Sequence, residues 1–450
     1  MKKVKILFCA LFLLALTGCT FQNNGRSGKT EETAQISVPS GEEEADPFLI
    51  TLGGGETVLK TPGEYTLTGS STDAQITVDC PGEVTLRFEN ASLVSLYAPA
   101  IKVSRAESLT ILLPEGSKNR ICSGEEAELV PVSEHTGAAI RAKCDLNIEG
   151  SGTLSIEGYI NNGIDCVASV RIDCGELSLK AANNGIKANS IMLDNGSVDM
   201  ETGADGIRAY NMLTVNGGSF TVLAGQMGLK NVPEQDTGDT VGGICINGGA
   251  ISVSSVGHCI RSSGEVLVNN GTLQLSSPDS RGIYADGAIR IMDGNIDTDV
   301  LDDGIFSASE LTVEGGKLNI CAGGDGLKAG GSRGNLEALI YINGGDIFIS
   351  AYGDPVDANG GTFINGGKLF GLGISDQLKS FAPSSGQRWI FAGTVGAKGD
   401  KVEISLDDKV KESEAAHYGF NTVLYSAPDM SEGKTYTVTY ADELPVYCTA

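Results

Sequence analysis

The dominant pattern in this sequence is a unit of about 22 residues in which short alternating apolar and polar runs are separated by turns. Most copies place an apolar residue directly after a glycine, as in segments 163–166, 185–188 and 206–209. From Ile140 onward these residues are 24, 22, 21, 22, 31, 23, 22, 22 and 29 residues apart. A second landmark, Asn or Asp followed by glycine, keeps the same step. Two landmarks that move together along the chain predict a repeat protein.

Each copy contains three short runs with a period of two, for example at 207–209, 213–215 and 220–222. Runs of this length cannot form hairpins across so few turn residues. They can each pair with the equivalent run of the next copy, about 4.8 Å away. The pattern therefore predicts an all-β fold, a parallel β-helix of about 12 coils of about 22 residues, with isoleucine inward and the next residue outward. Helical repeats are excluded because no window sustains a 3.6-residue period.

The N-terminal segment predicts export and lipid anchoring. Residues 1–18 combine a basic start with an apolar stretch that is too short to span a bilayer. Segment 16–19 resembles a bacterial lipoprotein signal in which Cys19 becomes the lipidated first residue; an ordinary secretion signal with a chance cysteine is the alternative. Residues 19–47 are polar and predict a disordered tether. We therefore expect a lipoprotein on the extracellular face of a bacterial cell membrane.

The repeat also predicts where the folded part begins and ends. We expect the β-helix over 48–377 and a small C-terminal β cap over 378–450, because the repeat stops and irregular strands follow. Insertions interrupt the repeat at 113–137, 231–243 and 329–338. Inserted loops of a solenoid usually line one face, which is then the expected binding face.

Composition narrows the class of partner. Glycine is abundant, 61 of 450 residues against 13 prolines, as many regular turns require. The net charge is −25, so nucleic acid is excluded as a partner, since phosphate binding depends on Lys and Arg. Most of the 11 cysteines fall in slots for small apolar residues, which favours stacked free thiols over disulfides.

Stacking of coils in register turns equivalent outward positions into rows. In the row directly after the inward isoleucine, four consecutive copies are basic. Stacked like charges repel unless an anion lies along them, which suggests a groove for an acidic polysaccharide; the alternative is that neighbouring carboxylates neutralise the row. The two aromatic residues that follow either stack on sugar rings or are shielded by an inserted loop. The candidate ligand-binding residues, here named the outward row, are Lys187, Arg208, Lys230, Arg261, Tyr284, Phe306 and Lys328.

Carboxylates gather near the C-terminal end of the repeat. Ca²⁺ prefers six to eight oxygen ligands, so a cluster of carboxylates predicts a Ca²⁺ site. The alternative is that these residues form turns before glycine, as Asp often does. The candidate metal ligands, here named the acidic cluster, are Asp302, Asp303, Asp325, Asp354 and Asp357.

These features together resemble the clostridial-type family of carbohydrate-binding domain proteins over about residues 48–445. The Asp-Gly-Ile/Leu-Lys/Arg unit of that family matches at 205–208 and 325–328, and in part at 303–305. The resemblance implies a pectate-lyase-like right-handed β-helix that binds cellulose or acidic plant sugars with bound Ca²⁺, without established cleavage. The chain departs from the motif at the three copies that carry Met227, His258 and Arg281, where no carboxylate is available.

We therefore predict a monomer that binds a plant-type or acidic polysaccharide with the help of Ca²⁺ and contacts the membrane only through its lipid. One alternative is a pectate-type lyase, in which Ca²⁺ acidifies a proton and Lys328 beside the acidic cluster removes it. The other alternative is a surface scaffold or adhesin without a sugar site.

Overall fold

The computed structural model describes residues 34–35, 48–96, 99–124, 137–233, 242–331, 336–375 and 380–450. The predicted signal peptide, Cys19 and nearly all of the predicted tether lie outside these residues, as do the central parts of the three insertions. Within the described ranges, no helix is long and apolar enough to cross a membrane.

Every coil contributes short strands to parallel ladders in which each strand pairs with its equivalent one coil away. Ladder one contains the Ile-x-Ala runs of the repeat. Its strands are β1 (Ala34–Gln35), β3 (Gly55–Leu59), β5 (Ala74–Asp79), β8 (Ile101–Arg105), β11 (Ile140–Ala142), β13 (Ile164–Cys166), β15 (Ile186–Ala188), β17 (Ile207–Ala209), β20 (Leu229–Asn231), β23 (Ile260–Ser262), β26 (Ile283–Ala285), β29 (Ile305–Ser307), β32 (Leu327–Ala329) and β35 (Val356–Ala358).

Ladders two and three follow ladder one in each coil, and in three coils one long strand runs through both. Those long strands are β12 (Asp145–Gly158), β14 (Ser169–Ala181) and β16 (Ser190–Thr202). Ladder two also contains β2 (Phe48–Leu52), β4 (Gly63–Gly69), β6 (Val84–Phe88), β9 (Ser108–Leu113), β18 (Leu213–Val215), β21 (Ile244–Ile246), β24 (Val266–Val268), β27 (Ile289–Ile291), β30 (Leu311–Val313), β33 (Leu339–Ile342) and β36 (Gly361–Ile364). Ladder three also contains β7 (Ser92–Ser95), β10 (Lys118–Ser123), β19 (Ser219–Ala224), β22 (Ala250–Ser255), β25 (Thr272–Ser277), β28 (Asn295–Val300), β31 (Lys317–Ala322), β34 (Asp346–Ala351) and β37 (Lys368–Gly373).

The core is a stack of aliphatic side chains along the inside of the ladders. Ile164, Ile186 and Ile207 pair in register and are fully buried, and the small residues two positions later, Cys166, Ala188 and Ala209, point inward as well. The residue between them is more exposed in most coils, as the period of two predicts. The predicted all-β parallel β-helix is therefore confirmed.

The turn between ladders two and three explains the Asn-Gly-Gly landmark. Gly218 adopts a positive φ of 87°, a conformation that other residues adopt only with strain. A Cβ atom at this position would lie 2.7 Å from the carbonyl oxygen of Gly196 in the preceding coil. The coils can stack at this corner only because the side chain is absent.

The insertion predicted at 113–137 is shorter than expected. Residues 118–123 form strand β10, which pairs with β7 on one side and with β12 on the other. The alternating run Asn119, Ile121 and Ser123 is buried in this strand, so it continues the repeat. The inserted chain therefore begins after β10, between ladders three and one, whereas the other two insertions follow ladder-one strands.

C-terminal strands cover the last coil and form a β cap. Strand β37 pairs antiparallel with β41 (Phe420–Ser426), and β41 pairs antiparallel with β38 (Trp389–Gly396). A four-stranded sheet in the order β40 (Lys409–Ala415), β39 (Lys401–Leu406), β42 (Thr435–Tyr440) and β43 (Val446–Thr449) completes the cap. Phe370 and Leu372 on the outer face of β37 join the buried core of the cap.

All nine cysteines in the described part of the chain are free thiols. Burial raises the pKa of Cys174 to about 12 and of Cys166 to about 12, so both stay protonated at neutral pH. They act as small apolar core residues, as the repeat predicted.

Candidate functional site

The outward row exists as predicted: its members occupy equivalent positions in successive strands of ladder one. Lys187 pairs in register with Arg208, Arg208 with Lys230, and Lys230 with Arg261. The row continues through Tyr284, Phe306 and Lys328 to Asp357.

Carboxylates neutralise much of this basic row. Oδ2 of the buried Asp205 lies 3.0 Å from Lys230 Nζ and 3.5 Å from a guanidinium nitrogen of Arg208. Arg261 forms an ion pair of 2.5 Å with Asp286. These pairs favour the second of the two interpretations of the row, in which carboxylates rather than a bound anion separate the like charges.

Two guanidinium groups cover the aromatic residues of the outward row. The Arg261 guanidinium lies 4.2 Å from the centroid of the Tyr284 ring, and that of Arg281 lies 4.5 Å from the Phe306 ring. Phe306, which was predicted to point outward, is only 7% exposed. Its ring packs edge-to-face on Tyr284, and a Cβ at Gly331, at the start of the third insertion, would lie 3.4 Å from it. Of the two predicted alternatives, shielding is the one that the geometry favours.

The row of Asn and Asp residues two positions before the inward isoleucine forms a ladder of buried hydrogen bonds. Oδ1 of Asn162 accepts hydrogen bonds from the backbone N–H and the side-chain amide of Asn184, at 3.0 and 2.9 Å. Asp303 Oδ1 accepts the N–H of Asp325 at 3.0 Å, and Asp325 Oδ1 accepts that of Asp354 at 2.7 Å. One side-chain oxygen of each of these acceptor residues thus accepts a hydrogen bond from the next coil and helps to hold the stacked coils together.

The structure divides the acidic cluster into two parts. Arg281 holds Asp302 at 3.2 Å and Asp303 at 2.7 Å. The remaining carboxylates, Asp325, Asp354 and Asp357, place ligand oxygens within 4.8 Å of one another.

The ammonium of Lys328 lies beside two of these three carboxylates, Asp325 and Asp357. It forms a hydrogen bond to Asp325 Oδ2 and lies 3.7 Å from an oxygen of Asp357. Burial alone lowers the pKa of Lys328, but the bond to Asp325 and the charges of Asp303, Asp325 and Asp357 raise it above its ordinary value. Carboxylate oxygens are suitable ligands for a divalent cation such as Ca²⁺, which prefers oxygen. Any such ion would compete with the protonated lysine for these oxygens.

A groove of about 460 Å³ lies at the junction of ladder three and the cap, away from the outward row. Its floor is the outer face of strands β25, β28, β31, β34 and β37, and its wall is the edge strand β40 with the residues that follow it. We call it the cap groove. Its polar and aromatic lining residues are Thr272, Gln274, Asn295, Asp297, Lys317, Asn319, Asp346, Phe348, Lys368, Phe370, Glu412, Glu414 and His417.

Ion pairs and hydrogen bonds order the groove where it meets the cap. Lys368 Nζ bridges Asp346 at 2.9 Å and Glu412 at 2.6 Å, which ties the floor to the wall. Burial alone lowers the pKa of Lys368, but the hydrogen bonds to these two carboxylates raise it. His417 donates its backbone N–H to Ser350 Oγ at 2.9 Å. The side chains are therefore positioned before any ligand arrives.

Sequence reasoning missed the cap groove, although part of its signal was present. The floor residues occupy one outward position of the third run, and this position changes from Gln274, Asp297 and Asn319 to Phe348 and Phe370 in the last two coils. Aromatic residues at an outward position in the last coils of a repeat indicate that another element packs there or that a ligand binds there. The wall could not be inferred, because Glu412 and His417 reach the floor only through the fold of the cap.

The fold and the groove define a parallel β-helix protein with an ordered groove of mixed polar and apolar lining, in which the Phe348 ring is half exposed. The chain belongs to the family of carbohydrate-binding domain-containing proteins, whose model matches residues 54–211, 189–282 and 271–413.

One relative is a carbohydrate-binding domain-containing protein of Acetivibrio thermocellus, 29% identical over 188 residues. This match covers 40% of the present chain and 65% of the relative, so the chain spans just under two thirds of the relative's length. A solved structure, described as the polysaccharide lyase-like protein from C. thermocellum in a gadolinium derivative, is 21% identical with a TM-score of 0.42. That similarity covers 56% of the present chain and all of the solved chain.

Proposed function

We propose that this protein binds a polysaccharide and that the cap groove is the binding site. Membership of a carbohydrate-binding family supports the class of ligand. The observation that carries the site is the lining of the groove, which combines amide and carboxylate side chains with the half-exposed ring of Phe348. Sugars offer hydroxyl groups to such oxygens and C–H faces to such a ring.

The outward row is a weaker candidate for the same role. Its cations are engaged by Asp205, Asp286 and the carboxylates around Lys328, and guanidinium groups lie over its aromatic rings. An acidic polysaccharide would have to break these ion pairs before it could bind there.

A substitution at the groove floor tests the site. We expect Phe348→Ala to weaken polysaccharide binding by about fivefold or more, since a stacked ring contributes about 1 kcal/mol. Tyr341→Ala is the matched control, because Tyr341 is also a half-exposed outward aromatic residue but lies on ladder two. Affinity electrophoresis and calorimetry with neutral and acidic polysaccharides measure the effect. Equal affinities for the wild type and Phe348→Ala would place the binding site elsewhere.

We further propose that Ca²⁺ and the Lys328 ammonium compete for Asp325, Asp354 and Asp357. Removing the lysine charge in Lys328→Gln should then raise the affinity for Ca²⁺ by about tenfold or more in a calorimetric titration. Lys230→Gln is the control, because this lysine lies in the same row and contacts Asp205 instead. A wild type that binds Ca²⁺ as tightly as Lys328→Gln would contradict the competition.

The charges favour binding without cleavage. A lyase base must be neutral to accept a proton, whereas the raised pKa of Lys328 keeps it protonated. In the cap groove, Asp346 and Glu412 both form ion pairs with the Lys368 ammonium, so that neither carboxylate is free to approach a glycosidic oxygen. The release of an unsaturated uronate from polygalacturonate in the presence of Ca²⁺ would overturn this proposal.

We also propose, from the N-terminal sequence, that Cys19 carries the lipid that holds the protein on the extracellular face of the membrane. Cys19→Ser should move the protein from the membrane fraction to the soluble fraction. An unchanged distribution would contradict lipid anchoring at this residue.

A further inference from the structure

We infer that the cap groove receives the end of a glycan chain that carries no acidic groups. This inference rests on the proposed function and adds two properties of the ligand: which part of the chain enters, and its charge.

The floor becomes progressively more buried toward the cap. Gln274 and Asp297 are exposed, Asn319 and Phe348 are half-buried, and Phe370 is only 1% exposed. These residues are equivalent positions in five successive strands, so the burial increases along one straight row. Four coil steps of about 4.8 Å make this row roughly 19 Å long, enough for several sugar rings in line.

The row is closed at the cap. Phe370 packs against Tyr425 of β41, with ring centroids 6.2 Å apart, inside the core of the cap. The bridge from Asp346 through Lys368 to Glu412 crosses from floor to wall at the same level. A linear chain that lies on the floor therefore meets the cap and cannot continue past it.

The row is open at its other end. Equivalent positions in the preceding coils are Ser252 and Thr221, which are half-buried and exposed in the described structure. A groove that is closed at one end and open at the other accepts a chain terminus and lets the rest of the chain leave along ladder three.

The charges of the lining select against acidic sugars. Asp297, Asp346, Glu412 and Glu414 face the groove, against Lys317 and Lys368. The lining thus carries an excess of two negative charges, within a protein whose net charge is −25. Uronates and sulfated sugars would be repelled, whereas hydroxyl groups can donate to the carboxylates.

The number of protein molecules bound per glycan chain tests the inference. The probes are length fractions of β-1,4-glucan, β-1,4-xylan, β-1,4-mannan and β-1,3-glucan, with polygalacturonate as the acidic comparison, and the full-length protein is used throughout. Sedimentation velocity gives the stoichiometry at saturation. For a chain-end site we expect one protein molecule per neutral chain whatever its length, and no binding of polygalacturonate.

Two results would overturn the inference while leaving the proposed function standing, provided that Phe348→Ala weakens the binding. One is a stoichiometry that rises in proportion to chain length, which would show binding to internal segments. The other is binding of polygalacturonate but of none of the neutral chains. If no polysaccharide binds, the proposed function fails and the inference fails with it.

Discussion

At the scale of single residues, His258 shows how the repeat handles an exception to its own pattern. It stands in the row where other coils carry Asn or Asp, and its Nδ1 lies 2.6 Å from Ser280 Oγ. Its ring packs edge-to-face on Tyr284, with centroids 5.0 Å apart. Burial lowers the pKa of His258 to about 4, and the nearby charges of Arg281 and Arg261 act in the same direction. The histidine therefore serves as a neutral hydrogen-bonding residue.

This environment predicts a loss of stability in acid. Because the pKa is lower in the folded state than the ordinary 6.5, the unfolded chain binds the proton more readily. The contribution of His258 to the free energy of unfolding is thus fully present above pH 6.5 and is lost as the pH falls from 6.5 to 4. The loss amounts to about 2–3 kcal/mol at most. Urea unfolding at a series of pH values measures it.

The variant His258→Gln keeps a polar side chain that does not titrate, so the difference in stability between wild type and variant isolates the histidine. This difference should change in favour of the variant between pH 6.5 and 4. A difference that stays constant over this range would show that His258 is protonated equally well in both states.

The same residues show what the sequence could predict at this scale. The period of the repeat places Lys230 and Arg261 in one row without any structure. The period does not predict that Asp205 forms ion pairs with two cations whereas Asp286 pairs with Arg261. These pairings depend on how far each side chain extends around a corner of the coil. The membership of the row was predictable, and the pairing within it was not.

At the scale of elements, the corner before ladder one is held by side chains that hydrogen-bond to the backbone of the next coil. Asn162 Oδ1 accepts the backbone N–H of Asn184, and Asn184 Oδ1 in turn accepts the N–H of Asp205 at 3.2 Å. Asn162 and Asn184 are at most 7% exposed, so water cannot replace these bonds. The corner is therefore as much a part of the stacking as the strands are.

We expect Asn184→Ala to destabilise the protein by about 1–3 kcal/mol, because it leaves the buried N–H of Asp205 without its partner and removes one of the two hydrogen bonds to Asn162 Oδ1. Asn189→Ala is the matched control, since Asn189 lies in the same coil with an exposed side chain. Urea unfolding compares the two variants with the wild type. Similar losses for both would mean that the buried ladder adds little to the stability.

The elements themselves were largely predictable, and the exceptions have physical reasons. From β11 onward, strands of ladder one carry an aliphatic residue followed two positions later by a small or short polar residue, so the sequence locates them. Strand β10 was missed because Pro114-Glu115-Gly116 stands before it in place of the Asn-Gly-Gly landmark, and its run was assigned to an insertion. The wall strand β40 was unpredictable as part of a site, because its contacts with the floor connect residues about 40 or more positions apart, as between Lys368 and Glu412.

At the scale of the whole folded unit, the cap solves the problem of the open end of a β-helix. The last ladder-three strand, β37, would otherwise present free N–H and C=O groups and the apolar side chains of Phe370 and Leu372. The cap covers both with β41 and the four-stranded sheet. Edge strand β40 of this sheet forms the wall of the cap groove, so that the stabilising element also builds the candidate site.

Removal of the cap should therefore expose an unpaired strand edge that can associate with other molecules. A chain that ends at residue 375 leaves the edge of β37 unpaired, and we expect it to self-associate at concentrations at which the full-length protein sediments as a single species. The matched control is the same shortened chain with Phe370→Lys and Leu372→Lys, because lysine on an edge strand opposes pairing between sheets. This control should stay dispersed in sedimentation velocity experiments, which would assign the association to the exposed strand rather than to general unfolding. If the shortened chain without the lysines also stays dispersed, the cap is not needed to protect the end of the β-helix, and its main contribution is then the wall of the groove.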